Sequence, residues 1–134
     1  MRSWSGICRC GRRSSITVAM TEDEMMRYRW LRREIALDRE RLARCRREKC
    51  ARKIEAAIER KIRRAETEAV RIEEYVATID EPVVRMLVVE RYINGRTWRD
   101  AGRKCGWIAE DAARKRVRRY LDRDEQKNEK GNGG

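Results

Sequence analysis

The feature that most constrains the fold is the long stretch from Thr21 to Glu81, which contains neither glycine nor proline. These two residues most often end a helix, and the stretch is instead rich in arginine, glutamate and alanine, which favour helices. Thr21 and Glu24 have the spacing of a capping box at a helix start. The sequence therefore predicts long helices from Thr21 onwards, and we expect an all-α chain.

Apolar residues within this stretch recur in alternating steps of three and four, the spacing of helices packed as in a coiled coil. The first series, interrupted by Asp38 where an apolar residue is expected, is Tyr28, Leu31, Ile35, Leu42 and Cys45. The second is Ile58, Ile62, Ala65, Ala69, Ile72, Val76 and Ile79. The two series are out of register, and the polar stretch 46–53 separates them. Region 20–79 is therefore a long charged helical hairpin or one long coiled-coil helix with a stutter, and the polar break favours the hairpin.

A C-terminal domain of three shorter helices is predicted in residues 80–123. Asp80 is the candidate cap of the first helix, and Pro82 suits a first turn because proline lacks the amide hydrogen that is unused there. The pair Asn94-Gly95 readily adopts positive backbone angles and is expected to end this helix after Ile93.

The second and third helices are expected to be separated by a glycine-containing turn. Thr97 is predicted to cap a short helix of residues 98–104, and a longer helix is predicted over residues 109–122. Ala101 and Gly102 are small enough for two helices to cross closely. A short helix, a turn and a longer helix with a basic face form the helix-turn-helix pattern of many DNA-binding proteins.

Basic charge is concentrated in this C-terminal segment. The chain has a net charge of +12. From Val83 to Arg123 there are 12 basic and 5 acidic residues, a difference of +7, so more than half of the net charge lies in less than a third of the chain. Such a concentration is the electrostatic footprint expected of a surface that binds phosphates. The alternative is a basic helical bundle that binds a protein partner.

The third helix of this segment is predicted to bury one stripe and to expose the other. The buried stripe is Ala113, Val117, Tyr120 and Leu121, and Trp98 is also expected in the core by its spacing. If the outward stripe enters the major groove, the residues near its N-terminal half read base edges. The base-reading candidates are Asp111, Ala112 and Lys115. The phosphate-binding candidates are Arg96, Arg99, Lys104, Arg114, Arg118 and Arg119.

Catalytic and metal chemistry is not expected from this composition. The chain has no histidine, no glycine loop to hold phosphates and no evident nucleophile–base pair, so we expect neither an enzyme nor a cofactor. Its cysteines are Cys8, Cys10, Cys45, Cys50 and Cys105. Their odd number and wide scatter suggest reduced thiols in a cytoplasm, and a zinc site from the first four does not fit the usual ligand spacing. No apolar run is long enough to span a membrane.

Both ends of the chain are predicted to lie outside the folded region. Residues 1–19 are basic, rich in serine and glycine, and lack helical periodicity, so we expect a disordered basic tail. A basic arm that touches DNA is the alternative for this segment. Residues 124–134 are expected to form a disordered polar tail.

Several short segments resemble a group of phage and prophage regulators, the RinA-like and ArpU-like activators. The matching segments are Ile79–Pro82, Glu90–Trp98, Ala113–Val117 and Tyr120-Leu121, and the resemblance extends loosely to the charged helical arm. The C-terminal helix-turn-helix of this group is similar to region four of sigma factors. The resemblance implies a sequence-specific regulator of transcription that binds double-stranded DNA, with residues 97–104 as supporting helix and 109–122 as recognition helix. This chain departs from the group at the turn Gly106–Ala109, which has no capping hydroxyl.

The resemblance also implies partners and a place in the cell. We expect double-stranded DNA as partner, on the nucleoid in the cytoplasm of a bacterial host, with a possible contact to RNA polymerase. The arm is either a homo-oligomerisation element or a hairpin that only packs on the C-terminal domain. Two other functions remain open: a DNA-packaging module resembling a phage small terminase subunit, and a protein-binding adaptor for RNA polymerase.

Overall fold

The computed structural model describes residues 20–133, with side chains to Gln126, so the predicted N-terminal tail 1–19 lies outside the described residues. Within this range the chain is helical and contains no strand. The helices are α1 (Glu22–Arg47), α2 (Arg52–Ala77), α3 (Pro82–Val88, continued by a π-helical segment Val89–Ile93), α4 (Trp98–Lys104) and α5 (Glu110–Gly133). No helix in the described range has the length and apolar content that crossing a membrane requires.

The hairpin prediction is confirmed, because α1 and α2 fold back on each other around a turn at residues 48–51. Every member of the two predicted apolar series is buried, and so is Asp38. Ion pairs along the hairpin show its antiparallel order: Arg46 contacts Glu59 near the turn, Arg39 contacts Glu66 midway, and Arg71 contacts Glu24 at the far end. At about 1.5 Å per residue each arm is about 40 Å long.

Asp38, the polar residue that interrupts the apolar series, is held by ion pairs inside the hairpin. Its side chain is only 4% exposed. Arg41 Nη1 lies 3.3 Å from Asp38 Oδ1, and Lys61 Nζ lies 3.2 Å from Oδ2, so both cations form ion pairs with this carboxylate. The carboxylate and Glu34 together raise the pKa of Lys61. A buried carboxylate needs such partners, so this position ties one arm to the other at a defined level.

The turn of the hairpin uses a lysine where glycine is usual. Lys49 has φ +54°, the left-handed conformation of a helix-terminating residue. The amide of Cys50 donates to the carbonyl of Cys45 (3.0 Å) and that of Lys49 donates to Arg46 (3.3 Å), the two bonds of a Schellman motif. The N-cap residue of the next helix is Ala51, which makes no side-chain capping bond. The sequence therefore carried no glycine or hydroxyl signal for this turn.

Replacement of Lys49 by glycine is expected to raise the free energy of unfolding by about 0.5–1 kcal/mol. Glycine adopts the left-handed conformation without the steric cost that a side chain carries there, and part of this gain is offset by the greater freedom of glycine in the unfolded chain. Urea denaturation followed by circular dichroism measures the change. The matched control is Arg64→Gly on the exposed side of α2, which we expect to destabilise by about 1 kcal/mol. Destabilisation by both changes would contradict the assignment of this turn.

Helix α3 begins differently from the sequence prediction. The N-cap residue is Glu81, which makes no side-chain capping bond, so the prediction that Asp80 caps this helix is wrong. Asp80 instead accepts a hydrogen bond from the hydroxyl of Tyr120 (3.2 Å) on α5. The predicted end is confirmed, since the π-helical segment stops at Ile93 and Gly95 has φ +77°.

Helix α5 is longer than predicted. It was expected to end near Asp122 and to be followed by a disordered tail, but it continues to Gly133. The prediction that a disordered tail starts at residue 124 is therefore wrong. Asp124 lies in the helix and accepts a hydrogen bond from the hydroxyl of Tyr75 (2.7 Å) on α2. This long-range bond fixes an additional turn, and the residues that follow contain no helix breaker before Gly131.

Tyr92 connects the open end of the hairpin to the C-terminal helices. Its ring is 2% exposed and meets Trp98 edge to face, with ring centres 5.8 Å apart. Its hydroxyl donates to Glu22 Oε2 (2.8 Å), and burial together with this carboxylate raises the pKa of Tyr92. The buried residues of hairpin and C-terminal helices form one continuous core. The hairpin therefore supports α3, α4 and α5 from one side.

Candidate nucleic-acid interface

Helix α5 buries one stripe and exposes the opposite one, as the spacing of its residues predicted. Ala113, Val117 and Leu121 are buried against the other helices, whereas Tyr120 is only half-buried. All nine candidate DNA-contact residues are exposed: Asp111, Ala112, Lys115, Arg96, Arg99, Lys104, Arg114, Arg118 and Arg119. The centre of the exposed stripe of α5 is formed by Asp111, Lys115 and Arg119, and we refer to these three residues as the α5 ridge.

A shallow groove of about 710 Å³ runs beside the α5 ridge. Its lining contains all three base-reading candidates and one phosphate candidate: Asp111, Ala112, Lys115 and Arg119. The rest of the lining is Ala109, Arg116, Arg123 and, from the start of α3, Glu81. The groove thus carries four basic and two acidic side chains. Such a concave, mostly cationic surface can hold a polyanion.

Two arginines of this groove were not among the predicted site residues. Arg116 Nε lies 3.1 Å from Glu81 Oε1, and Arg123 Nη2 lies 3.8 Å from Glu81 Oε2. These pairs hold α5 against the start of α3 and partly neutralise one wall of the groove. The seven-residue spacing of Arg116 and Arg123 places both on one edge of the helix, which was the only signal available in the sequence.

Ion pairing divides the phosphate candidates into two groups. Arg96 Nε lies 2.6 Å from Glu90, Arg114 Nη2 lies 3.7 Å from Glu110, and Arg118 Nη2 lies 3.9 Å from Glu22. Exposed pairs of this kind contribute at most about 1 kcal/mol, so a phosphate can replace the carboxylate. Among residues 20–126, no carboxylate pairs with Lys115, Arg119, Arg99 or Lys104.

The structure does not gather all candidates into one patch. Arg96 and Arg99 lie at the start of α4. Lys104, at the end of α4, lines a different groove of about 410 Å³ together with Met86 and Val89 of α3. Only four of the nine candidates therefore share the groove beside the α5 ridge.

The turn between α4 and α5 is fixed by a close backbone contact. A Cβ atom added to Gly102 would lie 2.1 Å from the carbonyl oxygen of Ile108, so only glycine fits there. Gly106 and Trp107 both have positive φ angles, +108° and +60°. Trp107 is 79% exposed, and Arg103 lies over its ring with 5.6 Å between Cζ and the ring centre. Thr97 caps α4 as predicted, with its hydroxyl accepting from the amide of Asp100 (3.1 Å).

Comparisons with protein-family models, with curated proteins and with solved structures found no match to this chain. What supports a function is therefore the geometry and the charge of the residues themselves. In the described part of the chain, no three cysteine, aspartate or glutamate side chains come together as metal ligands. Cys45 and Cys50 lie next to each other at the hairpin turn, where a hydrogen bond with Cys50, together with burial, raises the pKa of Cys45 to about 11. Cys8 and Cys10 lie outside the described residues.

Proposed function

We propose that α4, the turn that follows it and α5 form a helix-turn-helix, and that the chain binds double-stranded DNA in a sequence-specific manner. The observation that carries this proposal is the α5 ridge: one side of α5 is buried, while Lys115 and Arg119 stand exposed on the other without carboxylate partners among the described residues. A helix with this distribution, crossed closely by a short supporting helix, suits the major groove.

In this proposal α5 reads bases through its N-terminal half. Lys115 donates to O6 or N7 of a guanine, Asp111 accepts from the N4 amino group of a cytosine, and Ala112 contacts the methyl group of a thymine. Arg119 and Arg99 contact phosphates directly.

The remaining phosphate candidates are the residues Arg96, Arg114, Arg118 and Lys104. The three arginines among them exchange a carboxylate for a phosphate on binding, since each now pairs with a glutamate. Lys104 lies beside the other groove and acts only if the DNA extends past α4. Fewer residues are thus expected to contact phosphates directly than the full set of basic candidates.

The biological role that we propose is regulation of transcription in a phage or prophage, on the nucleoid in the bacterial cytoplasm. It rests on the resemblance of residues 79–121 to the RinA-like and ArpU-like activators. Contact with RNA polymerase and self-association through the arm are part of the same proposal. The two apolar seams of the arm bury each other, so self-association would use the outer faces of the hairpin.

Two alternatives differ in assembly or in partner. A DNA-packaging subunit would form ring-sized assemblies, whereas a regulator would be a monomer or a dimer, and light scattering distinguishes them. An adaptor for RNA polymerase would not bind duplex DNA, which a gel shift on random duplex at low salt tests. The α5 ridge favours DNA binding over the adaptor because its two basic residues are available to phosphates and base edges, whereas assembly size alone separates the regulator from the DNA-packaging subunit.

Replacement of Lys115 and of Arg119 by alanine is expected to have different effects on DNA binding. Lys115→Ala should cost about 1–3 kcal/mol on the preferred site and relax the choice of base. Arg119→Ala should weaken binding to every sequence and reduce the slope of log affinity against log salt by about one unit. Arg118→Ala should act in the same direction but less, because its pairing with Glu22 already offsets part of its charge.

The measurement is selection of bound sites from a random DNA pool, followed by fluorescence anisotropy of the selected duplex at several salt concentrations. The control is Arg64→Ala, which removes an exposed basic residue from α2 and should leave the selected sequence unchanged. Wild-type affinity and selectivity in both Lys115→Ala and Arg119→Ala would show that the α5 ridge is not the DNA-binding surface.

A further inference from the structure

A second basic surface lies away from the α5 ridge, where the outer side of α1 meets the end of α3. A cleft of about 150 Å³ is lined there by Met26, Arg29, Trp30, Arg33, Arg91, Tyr92 and Gly95. Among the described residues 20–126, none that is acidic is part of this lining, although acidic residues are interspersed along the hairpin. We refer to these seven residues as the arginine cleft.

The three guanidinium groups of the arginine cleft have no carboxylate partner in the part of the chain whose side chains the structure describes. Neither Arg29 nor Arg33 nor Arg91 forms an ion pair with any residue in the range 20–126. Arg91 donates from Nη1 to the carbonyl of Arg96 (3.0 Å), while its Nε is buried without a hydrogen-bond partner. Three like charges at one cleft repel each other, and an anion bound between them relieves that repulsion.

The backbone makes room for one of these arginines. The guanidinium of Arg29 lies against Gly95, where an added Cβ would be 2.3 Å from Arg29 Cζ. Gly95 belongs to the loop before α4, so this contact brings a side chain of the hairpin onto the C-terminal helices. The guanidinium fork of arginine matches the geometry of phosphate oxygens, which it can bind through two parallel hydrogen bonds.

An exposed aromatic ring completes the cleft. The side chain of Trp30 is 67% exposed, and Arg33 lies over its ring with 5.3 Å between Cζ and the ring centre. Because most of this indole is in water, it does not stabilise the fold as a buried tryptophan would. Aromatic rings beside arginines are the platforms on which proteins stack the bases of single-stranded nucleic acids.

We propose that the arginine cleft binds a nucleotide of a single-stranded nucleic acid, with Arg29, Arg33 and Arg91 on its phosphate and Trp30 stacked on its base. The cleft is smaller than the pockets of about 300–1,000 Å³ that enclose drug-sized ligands, which suits a phosphate inside and a base along the rim. This site is separate from the α5 ridge and does not depend on the function proposed for that ridge.

Binding of a labelled oligothymidine, measured by fluorescence anisotropy at low salt, tests the proposal. The double variant Arg29→Gln/Arg33→Gln should lower the affinity about tenfold or more, because two charge-assisted phosphate contacts are lost. Trp30→Ala should lower it about 5- to 150-fold, the range for loss of one stacked base. The charge-matched control Arg32→Gln/Arg44→Gln removes two exposed arginines of α1 outside the cleft and should change the affinity less than threefold.

A second experiment uses an abasic oligomer of the same length and a poly-glutamate peptide. The abasic oligomer should bind equally to the wild type and to Trp30→Ala, since neither complex has a stacked base. Poly-glutamate that binds as tightly as oligothymidine, with the same dependence on Arg29 and Arg33, would assign the cleft to acidic peptides and overturn the proposal. So would oligothymidine binding that is equal in the cleft variants and the control.

These measurements test the two proposals independently of each other. Duplex binding by the cleft variants should stay close to wild type, and oligothymidine binding by Lys115→Ala and Arg119→Ala should do the same. All substituted side chains are exposed, so circular dichroism should show an unchanged helix content in each variant. Loss of duplex binding only in the ridge variants, beside loss of oligothymidine binding only in the cleft variants, supports both.

Discussion

Gly102→Ala is expected to destabilise the protein by about 3 kcal/mol. The added methyl group would lie 2.1 Å from the carbonyl oxygen of Ile108, and a backbone oxygen cannot rotate away as the end of a flexible side chain would. The turn must therefore open, which separates α4 from α5. The same substitution in an ordinary helix interior stabilises by about 1 kcal/mol, so the sign of the change is diagnostic. Urea denaturation followed by circular dichroism gives the free energy of unfolding.

The comparison variant for this prediction is Gly106→Ala in the same turn. A Cβ at Gly106 meets no atom of the described residues within 4 Å, so the expected cost there arises from φ +108°. We expect a loss of about 1–2 kcal/mol, less than at Gly102. A neutral or stabilising Gly102→Ala would show that α4 and α5 do not cross as described. Gly102→Ala should also weaken duplex binding, because it moves the α5 ridge relative to Arg99.

Leu87→Ala is expected to cost about 2–5 kcal/mol. Leu87 is fully buried in α3, and truncation removes its contacts and leaves a cavity in the core shared by the hairpin and the C-terminal helices. The neighbouring residue Met86 is 46% exposed, which makes Met86→Ala a matched control with an expected change of about 0.5 kcal/mol. Since small proteins have a total stability of only about 5–15 kcal/mol, the Leu87 variant should unfold at clearly lower urea concentration.

The Leu87 variant also tests whether the core is continuous. Helix loss measured by far-ultraviolet circular dichroism should then coincide in one transition with the change in tryptophan emission, to which the buried Trp98 contributes beside the exposed Trp30 and Trp107. Separate transitions would mean that the hairpin and the C-terminal helices unfold independently. Equal stability of the Leu87 and Met86 variants would contradict the placement of α3.

The hairpin was predictable because its signal repeats along the sequence. Each apolar series contributes several residues at helical spacing, and the structure buries all of them. Local signals likewise predicted the capping box at Thr21, the stop at Gly95 and the cap at Thr97, since each depends on residues within a few positions.

The features that were missed depend on partners distant in sequence. The role of Asp80 is set by Tyr120, and the extra turn of α5 is set by the bond between Asp124 and Tyr75. The turn at Lys49 has no glycine to mark it. The arginine cleft combines residues of α1 with the end of α3, so no local pattern could have predicted it. The exposure of the α5 ridge followed from helical spacing, whereas the pairing of its neighbours with Glu81 did not.

Glu22, in the first turn of α1, links the helical arm to the C-terminal helices through two contacts. One of its oxygens accepts the hydrogen bond of Tyr92, and the other lies 3.9 Å from Arg118. Under the proposed function, a phosphate that takes over Arg118 removes a counter-charge from Glu22 and weakens the attachment of the first turn of α1. By thermodynamic reciprocity, a change that loosens this turn makes Arg118 more available to DNA by the same factor. Because the exposed pair contributes at most about 1 kcal/mol, that factor is limited to about five. The coupling between the open end of the hairpin and α5 is therefore modest and acts in both directions.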